Sequence, residues 1–193
     1  GGAIRWSIND NIPHDDHLEM SGQQLSVVLR YGVDAQKRFH LNRSLVFPML
    51  RMHPNKTQNN LKQRFDVNIP ALVTVDDQTL LNEEVRDVTF NGIMRVESSF
   101  GYIYRRKELK DAVQLTRVLY PSTNAAHYCE EYTFKNSSPN QITLRVPEWN
   151  VTYTTPEEAG VYGAYCIEAA LSKSGVSVSY THLRAHETSA HLV

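Results

Sequence analysis

The densest run of chemically capable side chains is Asp10-Asn11-Ile12-Pro13-His14-Asp15-Asp16-His17-Leu18-Glu19-Met20-Ser21-Gly22. Imidazole nitrogens and carboxylate oxygens this close together could ligate a divalent cation such as zinc, manganese or calcium. The residue order is not that of a calcium loop, however, and neighbouring His14 and Asp15 reach one ion only if the chain curls. The same groups could line a sugar site or a domain interface, or be solvated turn chemistry. The run precedes the first strongly patterned strand and reads as a loop. No metal or other cofactor is assigned to it.

Glycoside hydrolysis needs two carboxyl groups facing each other across one sugar ring, about 5 to 10 Å apart. Asp15, Asp16 and Glu19 supply carboxyls, but adjacency in sequence does not place two of them across a ring. Glu83-Glu84, Glu130-Glu131 and Glu157-Glu158 are likewise adjacent, and in strands such neighbours point to opposite faces. No catalytic residue is assigned, since a Ser nucleophile elbow, a Gly-rich phosphate loop and a Cys-His arrangement are also missing from the sequence. Aromatic side chains stack on sugars when exposed and fill cores when buried. Trp6 shares a strand face with Ile4 and Ile8 and is expected in the core, whereas Trp149, after Pro147-Glu148 at a strand end, stays open between the two roles. Tyr102 and Tyr104 would join Trp149 in any aromatic platform, and Arg51 and His53, in a Pro-bounded stretch, could reach a ligand. The substrate-binding candidates are therefore His14, Asp15, Asp16, His17, Glu19 and Trp149.

The elements that would hold these residues are strands. Period-2 alternation puts successive side chains on opposite faces of a sheet. Leu25, Val27, Leu29 and Tyr31 share one face, and after the turn-like stretch from Gly32 to Arg38 the residues Phe39, Leu41, Leu45 and Phe47 share another, predicting a hairpin. Val88, Phe90 and Met94 alternate with polar residues, as do Val113, Leu115 and Leu119. Tyr128, Tyr132 and Phe134 lead into the turn cluster Asn136-Ser137-Ser138-Pro139-Asn140 and then Ile142, Leu144 and Val146, predicting a second hairpin. Helical periodicity is weak, and Glu157 to Ser172 reads as mostly strand. The expected class is all-β, an antiparallel β-sandwich of the supersandwich kind with few or no helices.

The chain has 193 residues, 41% of them hydrophobic and 21% charged, with a formal net charge of -1, the balance of a folded globular domain. A nucleic-acid partner would need a clustered basic surface. The only short basic run, Arg105-Arg106-Lys107, is answered by Glu108 and Asp111 and reads as a solvated strand end. No stretch approaches the roughly 18 apolar residues of a membrane-spanning helix, so no membrane partner is assigned. Cys129 and Cys166 could pair or stay reduced and decide no compartment. From Val178 onward the pattern changes. The string Ser179-Tyr180-Thr181-His182-Leu183-Arg184-Ala185-His186 resembles the conceptual translation of sequencing-adapter DNA, so 1–176 is expected to be the sandwich domain and 177–193 a non-native tail, its His182, His186 and His191 no metal site.

Asp10 to Gly22, followed by Val27-Val28-Leu29-Arg30-Tyr31-Gly32-Val33 and Arg43-Ser44-Leu45-Val46-Phe47-Pro48-Met49-Leu50-Arg51, resembles the amino-terminal region of six-hairpin glycosidase-like proteins of Bacteroidetes. Glu131-Tyr132-Thr133-Phe134-Lys135-Asn136 and Gly160-Val161-Tyr162-Gly163-Ala164-Tyr165 are also similar to the sandwich domain of such enzymes, and the likeness covers residues 3 to 176. It implies a carbohydrate-active glycoside hydrolase in which a β-sandwich packs against an (α/α)6 barrel that carries the catalytic groups. The barrel is not in this chain. The sandwich would be non-catalytic, would contribute at most the His14–Glu19 loop to a carbohydrate cleft, and would work in the periplasm or outside the cell. The alternative is an autonomous carbohydrate-binding module, which would need Trp149, Tyr102 and Tyr104 on one exposed face.

Overall fold

The computed structural model describes residues 2–53, 60–176 and 180–192, with side-chain surroundings as far as Leu171. Fifteen strands are described, in chain order β1 (Ile4–Ser7), β2 (His14–Ser21), β3 (Ser26–Val33), β4 (Phe39–Arg51), β5 (Asn60–Phe65), β6 (Thr74–Val75), β7 (Gln78–Thr79), β8 (Leu81–Phe90), β9 (Met94–Tyr104), β10 (Lys107–Pro121), β11 (His127–Asn136), β12 (Leu144–Arg145), β13 (Trp149–Thr154), β14 (Tyr165–Val176) and β15 (Tyr180–Leu192). A single helical turn, α1 (Ile69–Leu72), follows β5. The fold is all-β and antiparallel, as expected.

An eight-stranded sheet in the order β1-β8-β9-β10-β11-β15-β14-β13 forms one layer, and a four-stranded sheet, β2-β3-β4-β5, lies over part of it. Between them pack Met20, Val27, Leu29, Leu45 and Phe47 from the smaller sheet and Val85, Val88, Met94, Val96 and Tyr128 from the larger. The rest of the large sheet is covered by α1 and a three-stranded sheet, β12-β6-β7, which bring Ile69, Val73 and Val75 against Tyr102, Val113, Leu115 and Phe134. The burial alternates residue by residue, with Val27 and Leu29 fully buried and Arg30 exposed, because a pleated strand turns successive side chains to opposite faces.

Two hairpin turns are built from charged residues. Pairing of Tyr104 with Lys107 leaves Arg105-Arg106 as a two-residue loop, and pairing of Val75 with Gln78 leaves Asp76-Asp77. All four have positive φ, between 49° and 67°, the type I′ geometry that matches strand twist but costs residues with a Cβ roughly 1–2 kcal/mol each. Asp76 offsets this with bonds to the start of β12, the neighbouring strand of the same sheet: its N–H donates to the Thr143 carbonyl at 2.9 Å and its carboxylate accepts the Thr143 N–H at 2.8 Å.

The first predicted hairpin is present, with Val33 opposite Phe39. The second is not. The Asn136–Asn140 cluster is a tight turn, with the Asn136 carboxamide accepting the Ser138 N–H and donating to the Asn140 carbonyl, but it carries the chain across to the other layer. There β12 pairs with β6, while β11 pairs with β10 and β15. Alternation on both sides of a turn does not distinguish a hairpin from such a crossover. In the Glu157–Ser172 segment the strand begins only at Tyr165, after a 3-10 turn over Glu157–Ala159. In the segment set apart as a tail, Tyr180–Leu192 runs as β15 between β11 and β14, and residues 177–179 and 193 lie outside the described ones. The side chains of His182, His186 and His191 lie outside them as well.

Candidate functional site

The polar run expected as a loop is a strand from His14 onward. It sits at the edge of the four-stranded sheet and pairs through its whole length with β3, His14 opposite Val33 and Ser21 opposite Ser26. An edge strand that carries charges is well tolerated, because its polar side chains stay in water and discourage pairing with another chain. The pleat then decides which of the candidate residues meet. Asp15, His17 and Glu19 point away from the core, and His14, Asp16, Leu18 and Met20 point towards it.

On the outer face the ladder aligns Asp15 with Gly32 and His40, and His17 with Arg30 and Asn42. Gly32 makes the first row possible. With no side chain there, Asp15 Oδ1 and His40 Nε2 meet across it at 2.6 Å, whereas a Cβ would collide with both groups. Asp15, Asp16, His17, Arg30, His40 and Asn42 line a shallow groove of about 560 Å³. The Asp15 and His40 side chains are 75% and 51% exposed, so their contact can be exchanged for contacts to a ligand. Glu19 lies further along the strand, in a different groove at the end of the sandwich.

On the inner side, His14 sets its ring edge-on to Trp6, with centroids 4.6 Å apart, and its Nε2 lies 3.9 Å from Asp16 Oδ2. Asp16 Oδ1 accepts the His17 backbone N–H at 2.8 Å. Trp6 is half-buried against the first core cluster and not enclosed within it as expected. The five candidates on β2 thus divide between two faces and two grooves. Among the described residues no group of three His, Cys, Asp or Glu side chains is arranged to hold a metal ion. Asp15 and Asp16, strand neighbours that leave the backbone in opposite directions, both border the outer groove.

Trp149 is half-buried and packs on Phe65, ring centroids 5.6 Å apart, as part of the second core cluster. Tyr102 is fully buried, and Tyr104 is half-buried beneath the Arg105 guanidinium at 5.1 Å. These three aromatics make no platform. Arg51 and His53 serve the backbone: the Arg51 carbonyl accepts the Tyr165 hydroxyl at 2.7 Å and the Val161 N–H at 2.9 Å, and the His53 N–H donates to the Ala159 carbonyl at 2.8 Å. Residues 54–59, which follow them, lie outside the described ones.

The most heavily engaged charges were not among the sequence candidates. Arg43 on β4 crosses the interior to Glu130 on β11, donating through Nε to Oε2 and through Nη2 to Oε1 at 2.7 Å, and Nη1 donates to the Val67 carbonyl at 3.0 Å. The Tyr128 and Tyr132 hydroxyls donate to the same carboxylate at 2.5 and 2.7 Å. Beside them, Arg117 on β10 donates to Glu83 at 2.6 and 3.2 Å and to Ser98 Oγ at 3.2 Å, under the Phe39 ring. Burial alone would raise the Glu130 carboxyl, but Arg43 and the hydrogen bonds from Arg43, Tyr128 and Tyr132 hold it below the ordinary glutamate value. Burial, then the Glu130 charge, pushes Tyr128 and Tyr132 up. A signal for this network was present: Arg43 falls in phase between Leu41 and Leu45, Arg117 between Leu115 and Leu119, and Glu130 between Tyr128 and Tyr132.

No family model, no curated protein and no solved structure matches the chain.

The two polar regions therefore differ in what they can do. The buried Arg43–Glu130 pair ties the two sheets together, and Arg117–Glu83 joins β10 to β8 within the larger one. The outer face of β2 to β4 offers carboxylate, imidazole, guanidinium and carboxamide groups to solvent, all able to hydrogen-bond the hydroxyls of a polar ligand.

Proposed function

We propose that this chain is a non-catalytic β-sandwich domain of a carbohydrate-active glycoside hydrolase, one that packs against an (α/α)6 barrel and contacts carbohydrate through the outer face of its four-stranded sheet. The observation that carries the reading is the alignment of Asp15, His17, Arg30, His40 and Asn42 along one open groove. Planar polar side chains fixed on a sheet engage pairs of sugar hydroxyls with little loss of conformational freedom, since the backbone that holds them is already ordered. Dispersal of Trp149, Tyr102 and Tyr104 counts against an autonomous stacking module built on those rings. The same reading places the protein in the periplasm or outside the cell.

Affinity electrophoresis through gels containing mixed-linkage β-glucan, arabinoxylan or polygalacturonate tests it. The wild-type chain should be retarded by at least one polymer, and His17→Ala with Arg30→Ala should abolish the retardation without moving the melting temperature. Equal mobility of wild type and double variant in every gel would sink the reading.

A further inference from the structure

β2 continues past the outer groove. Its first half, Asp15 to His17, lines that groove, and its second half, Glu19 to Ser21, together with Gly22 and Gln23 that follow it, lines another of about 590 Å³ at the end of the sandwich, opposite Phe90, Ile93 and Tyr120. The walls of this end groove come from different sheets and are fastened together. Gly22 lies so close to the Ser122 carbonyl that a Cβ has no room, the Gln23 N–H donates to the Thr123 carbonyl at 2.9 Å, and the Gln24 carboxamide donates to the Asn124 carbonyl at 2.7 Å. Ile93, in the turn between β8 and β9, is 41% exposed.

We infer that the end groove is a second contact on the same ligand, an amphipathic subsite that receives a sugar ring of a glycan chain lying along β2. This rests on the carbohydrate reading above. A pyranose has apolar C–H faces and a hydroxyl rim, and the groove sets the apolar Phe90, Ile93 and Tyr120 beside the polar Glu19, Ser21 and Gln23, where the outer groove offers mainly polar groups. The eight residues of β2 span roughly 26 Å at the rise of a strand, longer than one sugar ring, so a ligand filling both grooves carries several linked rings.

The full chain and the variants Ile93→Asp and Gln23→Ala, each checked for an unchanged melting temperature, are run in the polysaccharide gel that retards the wild type. Both substitutions should weaken binding about tenfold, and glucose, xylose or galacturonic acid at millimolar concentration should fail to compete. If His17→Ala and Arg30→Ala abolish retardation while Ile93→Asp and Gln23→Ala leave it intact, or if a monosaccharide competes as well as the polymer, the extended site is refuted and the outer face stands. If no polymer retards the wild type, both readings fall together.

Discussion

Two polar pairs, Arg43–Glu130 and Asp15–His40, each set a carboxylate against a nitrogen-bearing side chain at hydrogen-bonding distance and have opposite consequences. Arg43 and Glu130 lie between the sheets with side chains 1% and 3% exposed; Asp15 and His40 lie on the outer face with at least half of each side chain in water. Inside, neither partner can be removed without leaving a bare charge in a medium of low dielectric, so the pair commits one sheet to a fixed register on the other. Outside, water screens the attraction and replaces either partner at little cost, so the pair holds nothing together and its groups remain free to bind. Burial, and not residue type, separates the charges that build this protein from those that can serve it.

The largest expected effect is on the interior side. Glu130→Ala should destabilise the fold by about 3–5 kcal/mol, because Arg43 stays buried without its counter-ion and two tyrosine hydroxyls lose their acceptor. Replacing both partners, Arg43→Met with Glu130→Leu, should restore the part of that loss that comes from the bare Arg43 charge, while Tyr128 and Tyr132 still lack their acceptor. Urea unfolding of the three proteins measures both values. A loss below about 1 kcal/mol for the single change would erase the contrast drawn between inside and outside.

The same interior should set the pH limits of stability. Glu130 has its folded pKa below the ordinary 4.5, so its contribution is present above that value and is lost as pH falls through the lower folded value. Tyr128 and Tyr132 have folded values above the ordinary 10.0, so theirs is complete below pH 10 and is lost as pH rises beyond it. Melting temperature followed across pH should fall on both flanks. Glu130→Gln should shrink the acid flank, and Tyr128→Phe the alkaline one.

Much of this interior was legible in advance, and part of it was not. The alternation of Leu25, Val27 and Leu29 and of Val113, Leu115 and Leu119 located strands and their buried faces because period and burial are linked by the pleat. Reading only the apolar members of each series passed over Arg43, Arg117 and Glu130, whose positions in phase placed three charges inside. On β2 the error ran the other way: a run with few apolar residues reads as a loop, yet an edge strand needs one apolar flank, and Leu18 and Met20 supply it. Which of its side chains meet depended on Gly32 and His40, one and two strands away in register and invisible to local spacing.

Two glycines sharpen the comparison at intermediate size. At Gly22 an added Cβ meets the Ser122 backbone carbonyl, which cannot swing aside, whereas at Gly32 it meets the ends of Asp15 and His40, which can. Gly22→Ala should therefore cost about 1–3 kcal/mol as an overpacked contact between layers. Gly32→Ala should cost less in thermal or urea unfolding, while pushing Asp15 and His40 apart. An equal loss at both positions would mean that the outer face is as rigid as the seam between the sheets.

The smallest effect on folding falls to Asp15→Asn, which removes the carboxylate charge while keeping nearly the same shape. Exposed on an edge strand and screened by water, the pair with His40 contributes below about 1 kcal/mol, so the unfolding midpoint should barely move. Retardation in polysaccharide gels should still fall, because a carboxamide in place of the Asp15 carboxylate of the outer groove accepts hydrogen bonds more weakly. A variant that unfolds earlier yet binds unchanged would assign Asp15 to the structure and leave Arg30 and His17 as the groups that meet the ligand.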